Sequence, residues 1–267
     1  MTGVSVQRGD SPIVLGQPHG GTHVPADIFA RLNARGQGLD DTDWHINQLY
    51  DGLLDGATVV QSHVHRYVID ANRDPAGQSL YPGQNTTTLV PTTDFDGHAI
   101  WKEGQSPSED EVQSRLEAFH APYHDALKAE LERVKSKHGV AILYDCHSIR
   151  SEIPFLFDGV LPVFSIGTND GTTCAPAIEA ATLSACEAAV GFGVVLNGRF
   201  KGGWTTRHYG QPDTGIHAIQ MELAQSAYMQ EAAPWAYREP QADALRAHLS
   251  NILKQLNNIA LFGALAF

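Results

Sequence analysis

Two histidines near the ends of short apolar stretches are candidates for metal binding. His147 lies near the end of residues 140–148, and His19 ends residues 13–19. Both stretches have the length of buried strands, and strands of an α/β sheet open onto the ligand-binding crevice at their carboxyl ends. A catalytic zinc site takes imidazole and carboxylate ligands from three residues and leaves one position for water. Although a single histidine is more often structural or solvated, this pair predicts two zinc ligands.

The third ligand must be a carboxylate, and two aspartates are candidates. Asp41 and Asp43 follow the His19 segment and precede an amphipathic helical pattern. We prefer Asp43 as the ligand, with Asp41 as the alternative. A different interpretation is that either aspartate only caps the following helix and interacts with its dipole.

Asp145 is a candidate partner of His147. The two residues are two positions apart on a predicted strand, so their side chains point to the same side. A carboxylate beside a ligating imidazole fixes the orientation of the ring. We therefore expect Asp145 to contact His147.

Glu222 is the candidate catalytic base. It lies in the apolar residues 216–223, which predict a late strand. Burying a carboxylate is costly unless it has a partner or a task, and water activated by zinc needs a base to take its proton. The alternative is that the strand directs Glu222 into solvent.

Asn72 and Arg73 are candidates for binding a substrate carboxylate. They follow a predicted strand, and a guanidinium binds a carboxylate through two parallel hydrogen bonds. Arg73 could equally form a structural ion pair with Asp70 or Asp74. Arg207, in a glycine-rich stretch, is a further candidate for a second anion contact.

Two other patterns suggest chemistry but have simpler explanations. His120 and His124 have the i, i+4 spacing of metal ligands on a helix, but they flank Pro122 and lack a glutamate after the first histidine. We expect them to be hydrogen-bonded residues on a helix face. Ser148 follows His147, but no glycine-flanked turn surrounds it and adjacent strand residues point to opposite faces, which disfavours a serine nucleophile.

Alternating strands and helices predict the framework that positions these residues. The fold class is a three-layer α/β sandwich, with a mixed, mostly parallel sheet between helices. Residues 77–104 are rich in glycine, proline, threonine and asparagine without periodicity, which is typical of a functional loop or lid. The predicted strands are residues 13–19, 58–64, 140–148, 161–166, 193–196 and 216–223, and the predicted helices are residues 25–35, 41–54, 108–139, 175–189 and 241–261.

The length and composition, with 42% hydrophobic and 18% charged residues, allow one large domain or two small ones, and we prefer a single domain over residues 1–267. The formal charge of -12 disfavours nucleic acid or an anionic membrane as the main partner, but local arginines still allow an anionic substrate. Three cysteines are too few for a disulfide framework, and neither a signal peptide nor a bilayer-length apolar run is visible. We therefore expect a soluble, cytoplasmic protein, whose oligomeric state the sequence does not indicate.

A series of short motifs runs from about residue 11 to about residue 230. Together they resemble the N-formylglutamate amidohydrolase family, also called N-formylglutamate deformylases. The motifs are Pro18-His19-Gly-Gly with Pro25, Asp41-Thr-Asp43-Trp44, Asp70-Ala-Asn72-Arg73-Asp-Pro75, Pro122-Tyr-His124, Asp145-Cys-His147-Ser148, Gly202-Gly203 and His217-Ala-Ile-Gln220-Met-Glu222-Leu.

The resemblance implies both a fold and a reaction. The family is similar to the zinc carboxypeptidases and aspartoacylases, whose fold is a mixed eight-stranded sheet between helices. The implied reaction is hydrolysis of N-formyl-L-glutamate to formate and L-glutamate, the last step of one route of histidine degradation. The resemblance also implies roles for five residues. His19 and His147 would be zinc ligands and Glu222 the general base, and Asn72 with Arg73 would bind a substrate carboxylate.

One departure from the carboxypeptidase pattern concerns the carboxylate ligand. Carboxypeptidases carry it three residues after the first histidine, where this sequence has Thr22. The ligand must therefore come from elsewhere, and we expect Asp43. The metal itself stays open, because two imidazoles and a carboxylate also accept cobalt, manganese or iron.

Two other functions fit the same motifs. The protein could hydrolyse another N-acyl amino acid or a peptide end. The size of the pocket for the acyl group would distinguish this activity from deformylation. It could also be a non-catalytic domain that binds a structural metal or an acidic metabolite. An open coordination position within reach of Glu222 would favour an enzyme.

Overall fold

The computed structural model describes residues 3–80 and 83–263, and it contains a seven-stranded mixed sheet. No helix in these residues has both the length and the apolarity that crossing a bilayer requires. The strands are β1 (Val4–Gln7), β2 (Ile13–Gln17), β3 (Thr58–Ser62), β4 (Ala141–Ile149), β5 (Phe164–Gly167), β6 (Val194–Leu196) and β7 (Ile216–Ala224). The α-helices are α1 (Ala26–Arg31), α2 (Ala34–Gln37), α3 (Ile46–Tyr50), α4 (Glu109–Arg115), α5 (Ala121–His138), α6 (Pro176–Glu187), α7 (Trp204–Tyr209) and α8 (Glu239–Phe262).

The centre of the sheet is parallel and its edges are antiparallel to it. The central strands lie in the order β3-β2-β4-β7 and are parallel to one another. At one edge β1 is antiparallel to β3, and at the other β5 is antiparallel to β7 and parallel to β6. From β2 the chain passes to β3 on one side and later to β4 on the other. This reversal between β2 and β4 creates the crevice where open α/β sheets bind ligands.

Helices cover both faces of the sheet. Successive side chains of β4 point to opposite faces, so that Ile142 and Tyr144 pack with α3, α6 and α8, whereas Ala141 and Leu143 pack with α5. Strands buried on both faces lack polar alternation, which explains why β4 and β7 are apolar runs in the sequence. The predicted three-layer α/β fold is confirmed.

Several elements differ from the sequence predictions. The edge strand β1 was not predicted, because it is short and mostly exposed and contains no apolar run. The helix predicted for residues 41–54 is confined to α3, since His45 adopts a left-handed φ of 60° just before it. The helix predicted for residues 25–35 is divided into α1 and α2. The glycine-rich stretch, for which the sequence predicts no helix, contains α7. The resemblance implies eight strands, whereas the described residues form seven.

The long predicted helix is largely confirmed. Ser108 Oγ accepts a hydrogen bond of 3.3 Å from Glu111 N at its start, and Gly139 ends it with a φ of 78°. Between α4 and α5, residues Leu116–His120 form a π-helical turn. Pro122 lies two residues after this turn and lacks the N–H that a regular helical turn would use, which accounts for the widened turn.

Residues 77–104 are irregular, as predicted. Thr93 and Ala99 form an isolated bridge, and Asp70 N donates a hydrogen bond of 2.8 Å to Leu89 O. Residues 81 and 82, which include Pro82 of the predicted loop, lie outside the described residues. The segment is therefore loop structure attached to the residues that follow β3.

Leu131 provides a test of the packing between α5 and the sheet. Its side chain is completely buried, so Leu131→Ala should lower the free energy of unfolding by about 2–5 kcal/mol. Leu261→Ala removes the same atoms from a side chain that is 43% exposed, and it should cost less than about 1 kcal/mol. Urea unfolding of both variants measures the difference. Equal costs would contradict the packing of α5 against the sheet.

Candidate active site

The carboxyl ends of the parallel strands bring the predicted metal ligands together. His19 lies two residues after β2, and His147 lies near the end of the adjacent β4. Asp43 lies in the turn before α3, where its backbone N–H donates a hydrogen bond of 3.2 Å to His19 O. All three side chains are buried. Three residues that are distant in sequence therefore meet at the reversal between β2 and β4.

Three possible ligand atoms form a compact triangle. His19 Nδ1 and His147 Nδ1 are 3.2 Å apart, and Asp43 Oδ2 is 3.9 Å from the first and 3.4 Å from the second. Zinc binds such atoms at about 2.0–2.2 Å, and two ligands of a tetrahedral site then lie about 3.3 Å apart. The triangle therefore has the size of one face of a zinc tetrahedron, and the donor set fits a divalent metal.

The other ring nitrogens of both histidines face carboxylates. His19 Nε2 donates to Asp70 Oδ1 at 2.7 Å, and His147 Nε2 lies 3.1 Å from Asp145 Oδ2. An ionised carboxylate only accepts hydrogen bonds, so each Nε2 carries a proton and Nδ1 is the atom of each ring that can offer a lone pair to a cation. This arrangement is the usual support of histidine metal ligands. The predicted contact between Asp145 and His147 is confirmed.

The Asp43 carboxylate is fixed on both oxygens. Arg66 Nη2 donates a hydrogen bond to Oδ1, and the backbone N–H of Ser148 donates one of 3.0 Å to Oδ2. Asp41 points elsewhere, because its Oδ2 accepts from Tyr67 Oη at 2.8 Å and from a backbone N–H at 2.9 Å. Asp43 is thus the aspartate that lies with the two histidines.

The two imidazoles have different electrostatic surroundings. Burial lowers the pKa of His19, and Arg66 acts in the same direction, so this ring is neutral near pH 7. Burial also disfavours the charged form of His147, but the Asp145 and Asp43 carboxylates hold its pKa well above the ordinary value. The triangle therefore attracts positive charge, which a divalent cation supplies.

The surrounding charges support the same conclusion. Burial alone would raise the pKa of Asp70, yet its cationic neighbours hold that pKa well below the ordinary value, so Asp70 is ionised. Acidic side chains lie around the triangle beside two arginines, and the carboxylates favour a cation there. The acidic groups are Asp43, Asp70, Asp145 and Glu222, and the basic groups are Arg66 and Arg73.

Glu222 lies beside His147 in the sheet. The two residues are register partners in the parallel pair of β4 and β7, so their side chains lie on the same face. Gln220 Nε2 donates a hydrogen bond of 3.1 Å to Glu222 Oε2 and orients the carboxylate. Burial raises the pKa of Glu222 to about 7. Repulsion from Asp43 also raises this pKa, whereas attraction to His147 lowers it. A carboxyl group with such a pKa can accept and return a proton near neutral pH.

Two corners of the ligand triangle, His19 and His147, line one cleft together with Glu222. The cleft has about 610 Å³ of space, part of which is open to solvent. Apolar side chains form one part of its wall, and three arginines add positive charge to it. Among the lining residues are His19, His147, Glu222, Asn72, Arg66, Arg73, Arg199, Phe95, Leu156 and Phe200.

Asn72 and Arg73 both line this cleft, next to the ligand triangle. Asn72 Nδ2 lies 3.1 Å from His147 Nε2, and Asn72 Oδ1 accepts a hydrogen bond of 2.9 Å from Thr205 N. Arg73 Nη1 lies 3.7 Å from Asp70 Oδ2, which is the ion pair considered as the alternative. The same guanidinium donates to Thr87 O and Thr87 Oγ1, both at 2.9 Å. Arg73 is therefore held at the cleft wall while it pairs with Asp70.

Arg207, unlike Asn72 and Arg73, does not line the cleft in the described part of the chain. Arg207 lies in α7, where its Nε donates a hydrogen bond of 2.9 Å to Gly202 O, and it is not among the described residues that line the cleft. Its contact with an anion stays a prediction. Arg199, from the same glycine-rich stretch, lines the cleft instead. Sequence spacing alone does not distinguish the two arginines.

Arg66 was also missed by sequence reasoning. It is 5% exposed, binds Asp43 and lies 4.0 Å from Asp70 through Nη1. An arginine soon after a strand end was the available signal, but its partners are acidic residues that sequence spacing does not identify.

The two disfavoured patterns have structural roles. His124 Nε2 bonds to Ala71 O at 2.7 Å, and His120 Nε2 bonds to Arg73 O at 3.1 Å, so both support the chain around Asn72. This confirms the prediction of hydrogen-bonded helix residues. Ser148 Oγ is hydrogen bonded to Tyr228 Oη at 2.8 Å, which is consistent with the absence of a nucleophilic role.

The chain is similar to known proteins over nearly its whole length. The sequence profile of the N-formylglutamate amidohydrolase family matches residues 11–229. The chain is 46% identical over 254 residues to the N-formylglutamate deformylase of Pseudomonas aeruginosa, and 45% identical over 254 residues to that of Pseudomonas putida. Each comparison covers 95% of both chains.

A solved structure shows the same fold. The N-formylglutamate amidohydrolase from Ralstonia eutropha JMP134 superposes with a TM-score of 0.80 at 24% identity, covering 97% of this chain and 98% of that chain. A gene product of Agrobacterium tumefaciens gives a TM-score of 0.72 at 18% identity, covering 96% of this chain and 95% of that chain. The resemblance found in the sequence motifs is confirmed, and the chain belongs to the N-formylglutamate amidohydrolase family.

Proposed function

We propose that this protein is a zinc-dependent deformylase that hydrolyses N-formyl-L-glutamate to formate and L-glutamate. The observation that carries the proposal is the convergence of His19, Asp43 and His147 at a cleft that the two histidines line together with Glu222. Family membership supports it, since the pseudomonad relatives are named N-formylglutamate deformylases. The reaction would be the last step of one route of histidine degradation.

In this proposal His19 and His147 hold the metal through Nδ1, and Asp43 holds it through Oδ2. When bound, the cation supplies a Lewis acid that polarises the formyl carbonyl and lowers the pKa of water. Asp70 and Asp145 keep the imidazoles oriented through their Nε2 atoms. Arg66 keeps the Asp43 carboxylate turned towards the histidines.

Glu222 moves the proton. Its carboxylate takes a proton from the attacking water as the new bond to the formyl carbon forms, and the carbon–nitrogen bond then breaks. The same group returns the proton to the leaving nitrogen, which departs as the amine of L-glutamate. A pKa of about 7 suits both steps, because the group is then neither too weak a base nor too weak an acid.

Asn72 and Arg73 orient the substrate. Arg73 has five N–H donors, and three are used within the described chain, by Asn72 O, Thr87 O and Thr87 Oγ1. The others suit a carboxylate, which a guanidinium binds with a fixed direction. Holding a carboxylate beside the ligand triangle restricts the formyl group to positions near Glu222.

Metal removal is the first test of this function. Purified protein should release formate from N-formyl-L-glutamate, lose this activity on chelation and regain it with zinc. We expect about one zinc ion per chain in the active protein. His147→Ala should lose most of the metal, while His23→Ala, which changes an exposed histidine, should retain it. Full activity in a metal-free sample would disprove the mechanism.

Glu222→Gln tests the base. The variant should keep its metal content and lose about 10²- to 10⁴-fold in kcat, because glutamine cannot accept the proton. Glu152→Gln makes the same change at an exposed position and should leave kcat unaltered. Metal analysis and steady-state kinetics would be compared for both variants. Wild-type turnover by the Glu222 variant would remove this residue from the reaction.

The pH profile should show an acidic limb. Burial raises the pKa of Glu222 to about 7, and protonated Glu222 cannot accept a proton, so activity falls as the pH decreases through 7. We expect kcat/KM to fall about fivefold from pH 7 to pH 6. Metal content measured at each pH separates this effect from loss of the ion. A constant kcat/KM from pH 8 to pH 6 would contradict the assigned role.

A further inference from the structure

The substrate in the proposed function has two carboxylates, and Arg73 accounts for one of them. Arg73 lies close to the ligand triangle, because it pairs with Asp70, which in turn bonds His19. The α-carboxylate of an N-formyl amino acid is also the one nearer to the reacting amide. Arg73 therefore suits the α-carboxylate, and the side-chain carboxylate requires a cation farther along the cleft.

Arg199 lies on the cleft wall, and its guanidinium is held there by other parts of the chain. Its Nε donates to Leu156 O and its Nη2 donates to Asn85 O, both at 2.9 Å. Its guanidinium carbon lies 5.4 Å from the centre of the neighbouring Phe200 ring. Arg199 thus brings a guanidinium in a defined position to the cleft.

Arg73 and Arg199 bind the same short segment of chain. Arg73 bonds to Thr87, whereas Arg199 bonds to Asn85, two residues away. Two residues of extended chain span at most about 7 Å. The carboxyl carbons of glutamate are separated by four carbon–carbon bonds, which is about 5 Å when extended. Residues 85–87 therefore join the two guanidinium groups to one short segment of the cleft wall, and the two carboxylates of the substrate are themselves close together.

We propose that Arg199 binds the side-chain carboxylate of the substrate and thereby selects acidic N-formyl amino acids. This inference rests on the proposed function and replaces Arg207 with Arg199 as the second anion contact. Arg73 holds the α-carboxylate, residues 85–87 set the spacing, and Glu222 and the ligand triangle receive the formyl amide.

The test compares two substrates that differ in one charge. N-formyl-L-glutamine has nearly the shape of N-formyl-L-glutamate but carries a neutral amide in place of the side-chain carboxylate. Arg199→Gln should lower kcat/KM for N-formyl-L-glutamate by about 10- to 100-fold, mainly through KM, because a charge-assisted contact is lost. The value for N-formyl-L-glutamine should stay within about twofold. Arg73→Gln should lower both values, since both substrates have the α-carboxylate.

Arg246→Gln is the matched control. Arg246 also binds backbone carbonyls, those of Gln48 and Leu49 at 2.7 Å, but it does not line the cleft in the described structure. Its loss should leave both kcat/KM values within about twofold of the wild type. Arg199→Lys keeps the charge with a different shape, so it should retain more of the preference for glutamate than the glutamine variant.

A binding measurement provides a second readout. Calorimetry should show that Arg199→Gln weakens binding of the product L-glutamate and leaves binding of L-glutamine unaltered. Equal losses for both substrates in Arg199→Gln would overturn the proposal, and so would an unchanged preference. Loss of preference in Arg207→Gln but not in Arg199→Gln would assign the role to Arg207 and overturn it as well.

The proposed function and this inference fail in different ways. A wild-type protein that is loaded with zinc but inactive on both formyl compounds would overturn the function and the assignment of Arg199 with it. A wild type that hydrolyses N-formyl-L-glutamate, together with an Arg199→Gln variant that keeps the full preference, would overturn the assignment alone.

Discussion

The close approach of two imidazole nitrogens is the constraint on which the rest of the site depends. His19 Nδ1 and His147 Nδ1 lie 3.2 Å apart, with Asp43 Oδ2 beside them, in a buried position. Three electron pairs directed at one point repel each other unless a positive charge lies between them. Because the Nε2 protons face Asp70 and Asp145, the rings cannot relieve this repulsion by turning without losing those partners. The surrounding carboxylates thus fix a geometry that fits a cation.

The order of the strands makes this approach possible. β2 and β4 are adjacent and parallel although more than a hundred residues separate them in the sequence, so the residues at their carboxyl ends meet. β7 is parallel to β4 on the other side and places Glu222 in register with His147. Burial of these strands between helices stabilises the positions of the side chains at their ends. The same packing that stabilises the fold therefore restricts the chemistry to one crevice.

The sequence predicted the residues whose positions follow from strand ends and left open those whose positions follow from tertiary contacts. β4 and β7 are apolar runs, so His147 and Glu222 could be assigned to strands from the sequence, whereas burial of Glu222 depended on the fold. Asp43 could not be separated from Asp41 by spacing, because the choice depends on Arg66, Tyr67 and the N–H of Ser148. Arg199 and Arg207 share one glycine-rich stretch, and only the fold separates the cleft wall from α7. The edge strand β1 was missed because a short exposed strand has no apolar signal.

In the proposed assignment, the reaction and the choice of substrate depend on different parts of the chain. His147 and Glu222 lie in central strands, whose backbone is fixed by hydrogen bonds on both sides, and His19 follows another central strand by two residues. Arg73 and Arg199 extend from loops and are joined through residues 85–87 by bonds to backbone and side-chain oxygens. Loop geometry can change without moving the strand ends, so the cation spacing can vary while the hydrolytic groups stay in place. In this assignment the placement of the two cations is a property of the loops, and amide hydrolysis depends mainly on residues at the strand ends.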